Sequence, residues 1–438
     1  MTVSPDPRPA RPAGPAGPAG GAGLAEVMEL VGPLGSAFNA AGHRLFLVGG
    51  VVRDLALGAH GAGDDIDLTT DAEPSAIKDL VRPTATAVWA QGERFGTIGA
   101  EIAGRALEIT THRVEAYDHS SRNPVVRYGT DVADDLTRRD FTINAMAIEV
   151  PNGELIDPFD GQSDLATRQL VTPLSPEESF SDDPLRMLRA ARFIPRFDLT
   201  PDHALVAAAR DLAERLRIVS VERVHDEFER LLAISDPTPG LDFLTETGLH
   251  TEIIPAYTGQ AEAWDRASAR LMVPASPLVR RAALLEPLGL ADAEASLVRL
   301  RYPKAAMRAT LSILGVVPVA RSPIGTRAVD PAVVRRVVAD VGVGLVDDAV
   351  ALARLASVRG LSTAEPFAAR LEELRATEDL TELGSPLSGA AIIDLLGVEP
   401  GPVVGEASRV LAEQRIEQGP LDEATASALL RSWWASRA

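Results

Sequence analysis

Asp65 and Asp67, separated by one residue in DDIDLTT, have the spacing best suited to chemistry in this 438-residue chain. If the segment is a strand, alternate side chains share a face and both carboxylates project together. Such a pair can hold two magnesium ions about 3.5–4 Å apart, an arrangement that suits in-line attack of a hydroxyl on an α-phosphate. An exposed acidic strand end would look the same, so the pair gains its meaning from what precedes it. LFLVGGVVRDLALG puts Gly49 and Gly50 where a short apolar strand turns into a helix. Bare α-carbons at that turn let a triphosphate approach backbone N–H groups. Arg53, three residues on, can direct a guanidinium at the same anion. Glu108, between Leu107 and Ile109 in ALEITTHR, offers a third carboxylate on the outward side of a neighbouring strand.

Two further clusters join acids to arginines. In RRDFTINAMA, Arg138 and Arg139 suit phosphate, while Asp140 and Asn144 can hydrogen-bond a ribose 2′-hydroxyl. In SDDPLRMLRAARF, Asp182 or Asp183 with Pro184 makes a helix start. Arg186, Arg189 and Arg192 then recur every third residue as a slowly rotating stripe. An acid beside arginines can read a base, because cytosine and adenine carry an amino donor where uracil and guanine carry a carbonyl. A carboxylate there accepts from C or A and is left unpaired against U or G. An arginine donating to the adjacent ring nitrogen completes the test.

Positioning these groups takes a small α/β module followed by helices. AEVMELVGPLGSAFNAAG reads as helix, HRLFLVGG and DDIDLTT as strands, and GTIGAEIAG with RALEITTHR as a hairpin. After FTINAMAIEV and the turn-rich PNGELIDPFDG, strand signals nearly vanish. The expected class is α+β: an N-terminal head with a small mixed β-sheet, then an all-helical neck, body and tail. Residues 1–23, rich in Pro, Ala and Gly, cannot build a core and read as a disordered tail. The head is expected over 24–164, the neck over 165–236, the body over 237–325 and the helical tail over 326–438.

The net charge of −19 excludes a protein that coats nucleic acid by bulk attraction, though not one with a local basic groove. Arginine carries almost all the positive charge, since only Lys78 and Lys304 are lysines, a bias that a GC-rich genome alone would give. With no cysteine, neither a disulfide-linked partner nor a thiolate metal site is expected. Despite a mean hydropathy of +0.05, no apolar run is long enough to span a bilayer. The first residues lack the basic and apolar regions of a secretory signal, so the expected location is cytoplasmic, away from any membrane.

In this order and spacing, the four blocks between about Leu45 and Leu232 resemble the class II tRNA nucleotidyltransferases and bacterial poly(A) polymerases. The resemblance implies a nucleotidyltransferase-type head that adds CMP and AMP, from CTP and ATP, to the 3′ end of tRNA without a nucleic-acid template. It also implies magnesium in a two-metal site at Asp65 and Asp67, assisted by Glu108. Gly50 and Arg53 would contact the nucleotide, Arg139 its phosphate, and Asp140 and Asn144 its sugar. Asp183, Arg186, Arg189 and Arg192 would form the protein template that selects C or A. DPFDG (Asp157–Gly161) is similar to the family's hinge motif, and ERVHDEFERLL (Glu222–Leu232) to its neck-stabilising helix. Asp182 departs from the glutamate usual in the family.

Many relatives follow the neck with a metal-dependent phosphohydrolase domain. Here LLEPLG stands where LLHDIGK is expected, and the last of seven histidines is His250. The body is therefore expected to be either a metal-free remnant or a chance likeness, in both cases without hydrolase activity. QGERFGTIGAEI (Gln91–Ile102) looks more like the CCA-adding members than the basic segment of the polymerases. The alternatives left open are a poly(A) polymerase, an enzyme adding only CC or only A, and a non-catalytic RNA-binding relative.

Overall fold

The computed structural model describes residues 21–58, 65–93, 96–116, 125–272, 274–323, 329–357 and 362–437. It divides into two compact units, one reaching Val219 and including Glu246–Leu249, the other made of Ser220–Thr245 and everything from His250. The expected disorder of residues 1–20 lies outside the described residues. Helix α1 (Gly21–Ala40) already begins at Gly21, three residues before the head was expected to start.

The first unit is built on seven strands: β1 (Leu45–Val48), β2 (Asp65–Thr70), β3 (Ala87–Trp89), β4 (Thr97–Ile102), β5 (Arg105–Thr111), then β8 (Ala147–Val150) and β9 (Leu155–Ile156). Between them β6 (Arg113–Ala116) and β7 (Val125–Tyr128) form a separate antiparallel hairpin. The order across the sheet is β3-β4-β5-β2-β1-β8-β9, with β2 and β5 parallel and every other pair antiparallel. The sheet is thus mixed, as the sequence indicated. The β4–β5 turn is formed by Ala103 and Gly104, both at positive φ, as a tight two-residue hairpin requires.

Alternation along the strands gives the sheet two different faces. Leu45 and Leu47 of β1, Ile66 and Leu68 of β2 and Leu107 and Ile109 of β5 pack into a core with α1 and α3 (Pro74–Val81). On the other face Phe46 and Val48 pack with Val132 and Leu136 of α4 (Val132–Thr137). That face, only partly covered, is the one that carries Asp67. Helix α2 (Gly50–Ala56) follows β1 directly.

Beyond β9 the first unit is helical: α5 (Gly161–Ala166), α6 (Pro176–Asp182), α7 (Leu185–Phe197) and α8 (His203–Asp211). The second unit opens with α9 (Val221–Leu232) and is helical through Glu423–Ala435. The reading of an all-helical remainder misses two short ladders. Gln169–Leu170 pair in parallel with Thr200–Pro201, and Ser322–Pro323 pair antiparallel with Ser362–Thr363. Two-residue pairings contain no alternation for a sequence to reveal. Among the described residues, no helix is long and apolar enough to cross a membrane.

Candidate active site

Gly49 closes β1 at φ 73° and ψ −133°, a conformation open to glycine and strained for other residues. A β-carbon there would lie 3.0 Å from Arg139 Nη1 and 3.5 Å from Asp67 Oδ2. The bare α-carbon therefore faces the gap between a guanidinium and a carboxylate. The gap opens into a cavity of about 280 Å³ lined by Val48, Asp67, Leu68, Thr110, Asp135, Arg138 and Arg139. Arg139 donates to Asp135 at 3.1 Å, while its Nε is buried with no hydrogen-bond partner. A buried donor without a partner beside a polar cavity is where an incoming anion gains most.

Asp67 stands opposite Glu108 of β5 in the parallel register, and Glu108 is exposed on the same face. The third expected carboxylate is thus one strand away from Asp67. Asp65, two positions earlier on β2, pairs through its backbone with Ala106; its side chain lies outside what the structure describes. Among the described residues no three His, Cys, Asp or Glu side chains are grouped as a preformed metal cage. The donor types still fit magnesium, which is usually held by one or two carboxylates together with substrate phosphates.

The remaining expected residues form a connected chain rather than a set of separate contacts. Arg53 is buried; it donates to Asp54 and, from Nη1, to Asn144 Oδ1 at 2.7 Å, with its guanidinium 4.2 Å above the Phe197 ring. Its Nη2 sits 3.4 Å from where a β-carbon on Gly50 would be, so the turn and the arginine are neighbours. Asn144 donates to Asp140 Oδ1 at 3.0 Å, and Arg189 donates to Asp140 Oδ2 from Nε at 2.8 Å and Nη2 at 2.5 Å. Burial opposes ionisation of Asp140, but the Arg189 charge, the Asn144 and Arg189 hydrogen bonds and nearby Arg186 outweigh it. Together they hold its carboxyl below the usual carboxylate range. Both Asp140 oxygens are thus engaged by protein donors, including the backbone N–H of Phe141. The geometry makes Asp140 a hub between α2, the RRDFTIN segment and α7.

Helix α7 starts as its sequence indicated, with Asp183 Oδ1 accepting from the backbone N–H of Leu185 at 3.1 Å. Arg186, on the first turn, donates to Ser179 Oγ at 2.8 Å and to the Arg138 carbonyl. Each three-residue step turns the stripe by about 60°. Arg192 has consequently rotated into the interior, buried with its guanidinium 4.4 Å above the Phe193 ring. Arg186 and Arg189 remain partly exposed.

DPFDG braces this assembly from beneath. Asp157 accepts from the backbone N–H groups of Gly161 and Gln162, and any β-carbon on Gly161 would fall 2.2 Å from the Thr142 carbonyl. Thr142 also donates to buried Asp164. Two polar residues of the head, Asp135 in the cavity wall and His112, escaped the sequence reading. Asp135 was signalled only by its i,i+4 spacing from Arg139. His112 is buried against Phe46, accepts from or donates to Thr69 at 2.8 Å, and is kept neutral by desolvation. In the second unit, Glu286 of LLEPLG pairs with Arg270 at 3.2 Å and with Arg321 at 3.7 Å.

Residues 45–171 match the family model "Poly A polymerase head domain", and residues 198–259 match "Probable RNA and SrmB- binding site of polymerase A". Together with the glycine turn and the carboxylate-bearing sheet, this defines a nucleotidyltransferase head. The chain is 32% identical to the CCA-adding enzyme of Limosilactobacillus reuteri over 378 residues, covering 85% of this chain and 89% of the relative. It is 36% identical to that of Lactobacillus johnsonii over 231 residues, an alignment spanning only 56% of that relative. The chain belongs to the family of CCA-adding enzymes. Its fold matches the Bacillus stearothermophilus CCA-adding enzyme in complex with CTP at a TM-score of 0.75 and 25% identity, covering 94% of this chain and 98% of that one. The Thermotoga maritima CCA-adding enzyme complexed with tRNA shares the fold at a TM-score of 0.63.

Proposed function

We propose that the protein adds CMP and AMP to the 3′ end of tRNA, releasing pyrophosphate, with the head cavity as the centre where transfer occurs. The observation that carries the reading is the meeting of Gly49, Arg139 and Asp67 around that cavity, in a chain of this family. Support also comes from relatives and neighbours that are CCA-adding enzymes, one in complex with CTP and one with tRNA. CTP and ATP are the substrates, tRNA the partner, and the cytoplasm the compartment in which those substrates occur together.

In this reading the triphosphate lies against the backbone at Gly49 and Gly50 and satisfies the buried Nε of Arg139, with Arg138 beside it. Asp65 and Asp67 would hold magnesium, which would supply positive charge at the α-phosphate. Glu108 adds negative charge on the neighbouring strand. Asp183 and Arg186 face the base edge, accepting from the amino group of C or A and donating to the adjacent ring nitrogen. Asp140 and Asn144 hold Arg189 and Arg53 in place next to the sugar.

The test is product length. Purified protein with magnesium, CTP and ATP should extend tRNAs ending before the first C, after C or after CC, and stop at CCA. Long adenosine tracts from ATP alone on unstructured RNA would replace this reading with a poly(A) polymerase. Arrest at CC with ATP present would make it a partial enzyme.

A further inference from the structure

Four residues form one cross-strand row: Trp89 of β3 pairs with Gly99 of β4, Gly99 with Glu108 of β5, and Glu108 with Asp67 of β2. Paired residues project to the same side of a sheet. Their strand neighbours Ile98, Ala100, Leu107, Ile109, Ile66 and Leu68 all point into the core on the opposite side. The row therefore lies on the face that carries the Asp67 carboxylate. Gly99 leaves a gap in it that Trp89 fills, since a β-carbon on Gly99 would fall 2.0 Å from the indole. The ring is thus drawn inward over β4 instead of standing at the sheet edge. It lies one strand spacing from Glu108 and two from Asp67, about 5 and 10 Å. A packing role would bury it, yet 37% of Trp89 remains exposed.

The chemistry gives that position a use. In-line displacement brings the attacking hydroxyl from the side opposite the departing pyrophosphate. The triphosphate contacts assigned above, Gly49 and Arg139, lie on the β1 side of Asp67, so the primer must enter from the side of β5, β4 and β3. We propose that Trp89 is the stacking platform for the terminal base of the RNA primer, setting the 3′-nucleotide so that its hydroxyl reaches Asp67. This rests on the transfer reading given above. An indole suits the task because the primer does not always end in the same base: the base that precedes the first C gives way to C once addition has begun. Hydrogen-bond readout would favour one base, whereas every base presents a π-face and stacking tolerates them all.

Steady-state kinetics on the full chain, with a tRNA lacking its last three nucleotides and the same tRNA ending in a base-free ribose, decide the matter. Trp89→Ala should raise KM for the tRNA about tenfold or more, the range expected for loss of one stacked base, and leave KM for CTP unchanged. Trp89→Phe should recover most of the loss. Gly99→Ala retains the indole but displaces it, and should behave like Trp89→Ala. The base-free primer should be poor with the wild-type protein and no poorer with Trp89→Ala. An unchanged KM for tRNA in Trp89→Ala, or losses that multiply when both changes are combined, would overturn the proposal. Should Trp89→Ala fail to fold, a wild-type protein indifferent to the base-free primer would overturn it equally. If the wild-type protein transfers no nucleotide at all, it is the active-site reading that falls.

Discussion

The helical unit contains a cavity of about 590 Å³, lined by Asp379, Thr381, Glu382, Arg415 and their neighbours, roughly twice the volume of the 280 Å³ cavity in the head. Both adjoin arginines, and the arginines differ in what they have left to do. Beside the larger cavity, Glu378 is buried between Arg335 at 2.9 Å and Arg415 at 2.7 Å. Those arginines are completed by the carbonyls of Ile416 and Asp379. The cluster closes on itself, each charge answered by protein. In the head, Arg139 keeps a buried Nε with no partner, and Gly49 withholds the side chain that would fill the space beside it. Volume does not separate the two cavities; the unpartnered Nε donor beside Gly49 does.

That contrast can be broken by substitution. Asp67→Ala should reduce transfer by well over about a hundredfold, the scale of losing a principal electrostatic group, while leaving the melting temperature intact. Activity within tenfold of wild type would remove Asp67 from the metal site. Asp183→Ala should erode discrimination of C and A from U and G, of which a hydrogen-bonding site can supply roughly 10⁴. An equal rate loss with all four nucleotides would show that Asp183 does not read the base.

Arg139→Ala, which removes a charged donor, should raise KM for both CTP and ATP about tenfold or more. In the tail, Glu378→Ala leaves two buried guanidinium groups unpaired and should cost about 3–5 kcal/mol of stability to denaturant. Its KM for CTP should stay within about twofold of wild type. A nucleotide-binding defect in Glu378→Ala with no loss of stability would reverse the assignment of the two clusters.

The smallest effect concerns acid. Because the folded structure depresses the Asp140 pKa, its stabilising contribution is complete above the ordinary carboxylate value near pH 4. The contribution disappears as the pH falls through the lower folded value. Melting curves should therefore fall less steeply below about pH 4 in Asp140→Asn than in the wild type. Parallel acid limbs would show that the Asp140–Arg189 pair contributes nothing to the head.

Local chemistry was legible in the sequence. The glycine turn at Gly49, the alternation of Ile66, Asp67 and Leu68, and the Asp183 helix start all depend on residues within one or two turns of each other. What depended on register was not. Nothing in the sequence places Glu108 opposite Asp67, or Trp89 above Gly99, because strand pairing joins segments through hydrogen bonds that leave no local pattern. Asp140 read as a ribose ligand because its partner Arg189 lies 49 residues away. Arg192 read with Arg186 and Arg189 as one slowly rotating stripe, and only the fold shows that by Arg192 the rotation has carried the side chain into the interior. The Glu378 cluster, with partners 43 and 37 residues away, left no trace at all.

Anomalous diffraction from crystals grown with manganese and a non-hydrolysable CTP analogue tests the central assignment most directly. The account places manganese at Asp65 and Asp67, the triphosphate against Gly49, Gly50 and Arg139, and the cytosine edge at Asp183 and Arg186. Nucleotide density beside Arg415 in the larger cavity, with the head cavity empty, would contradict it.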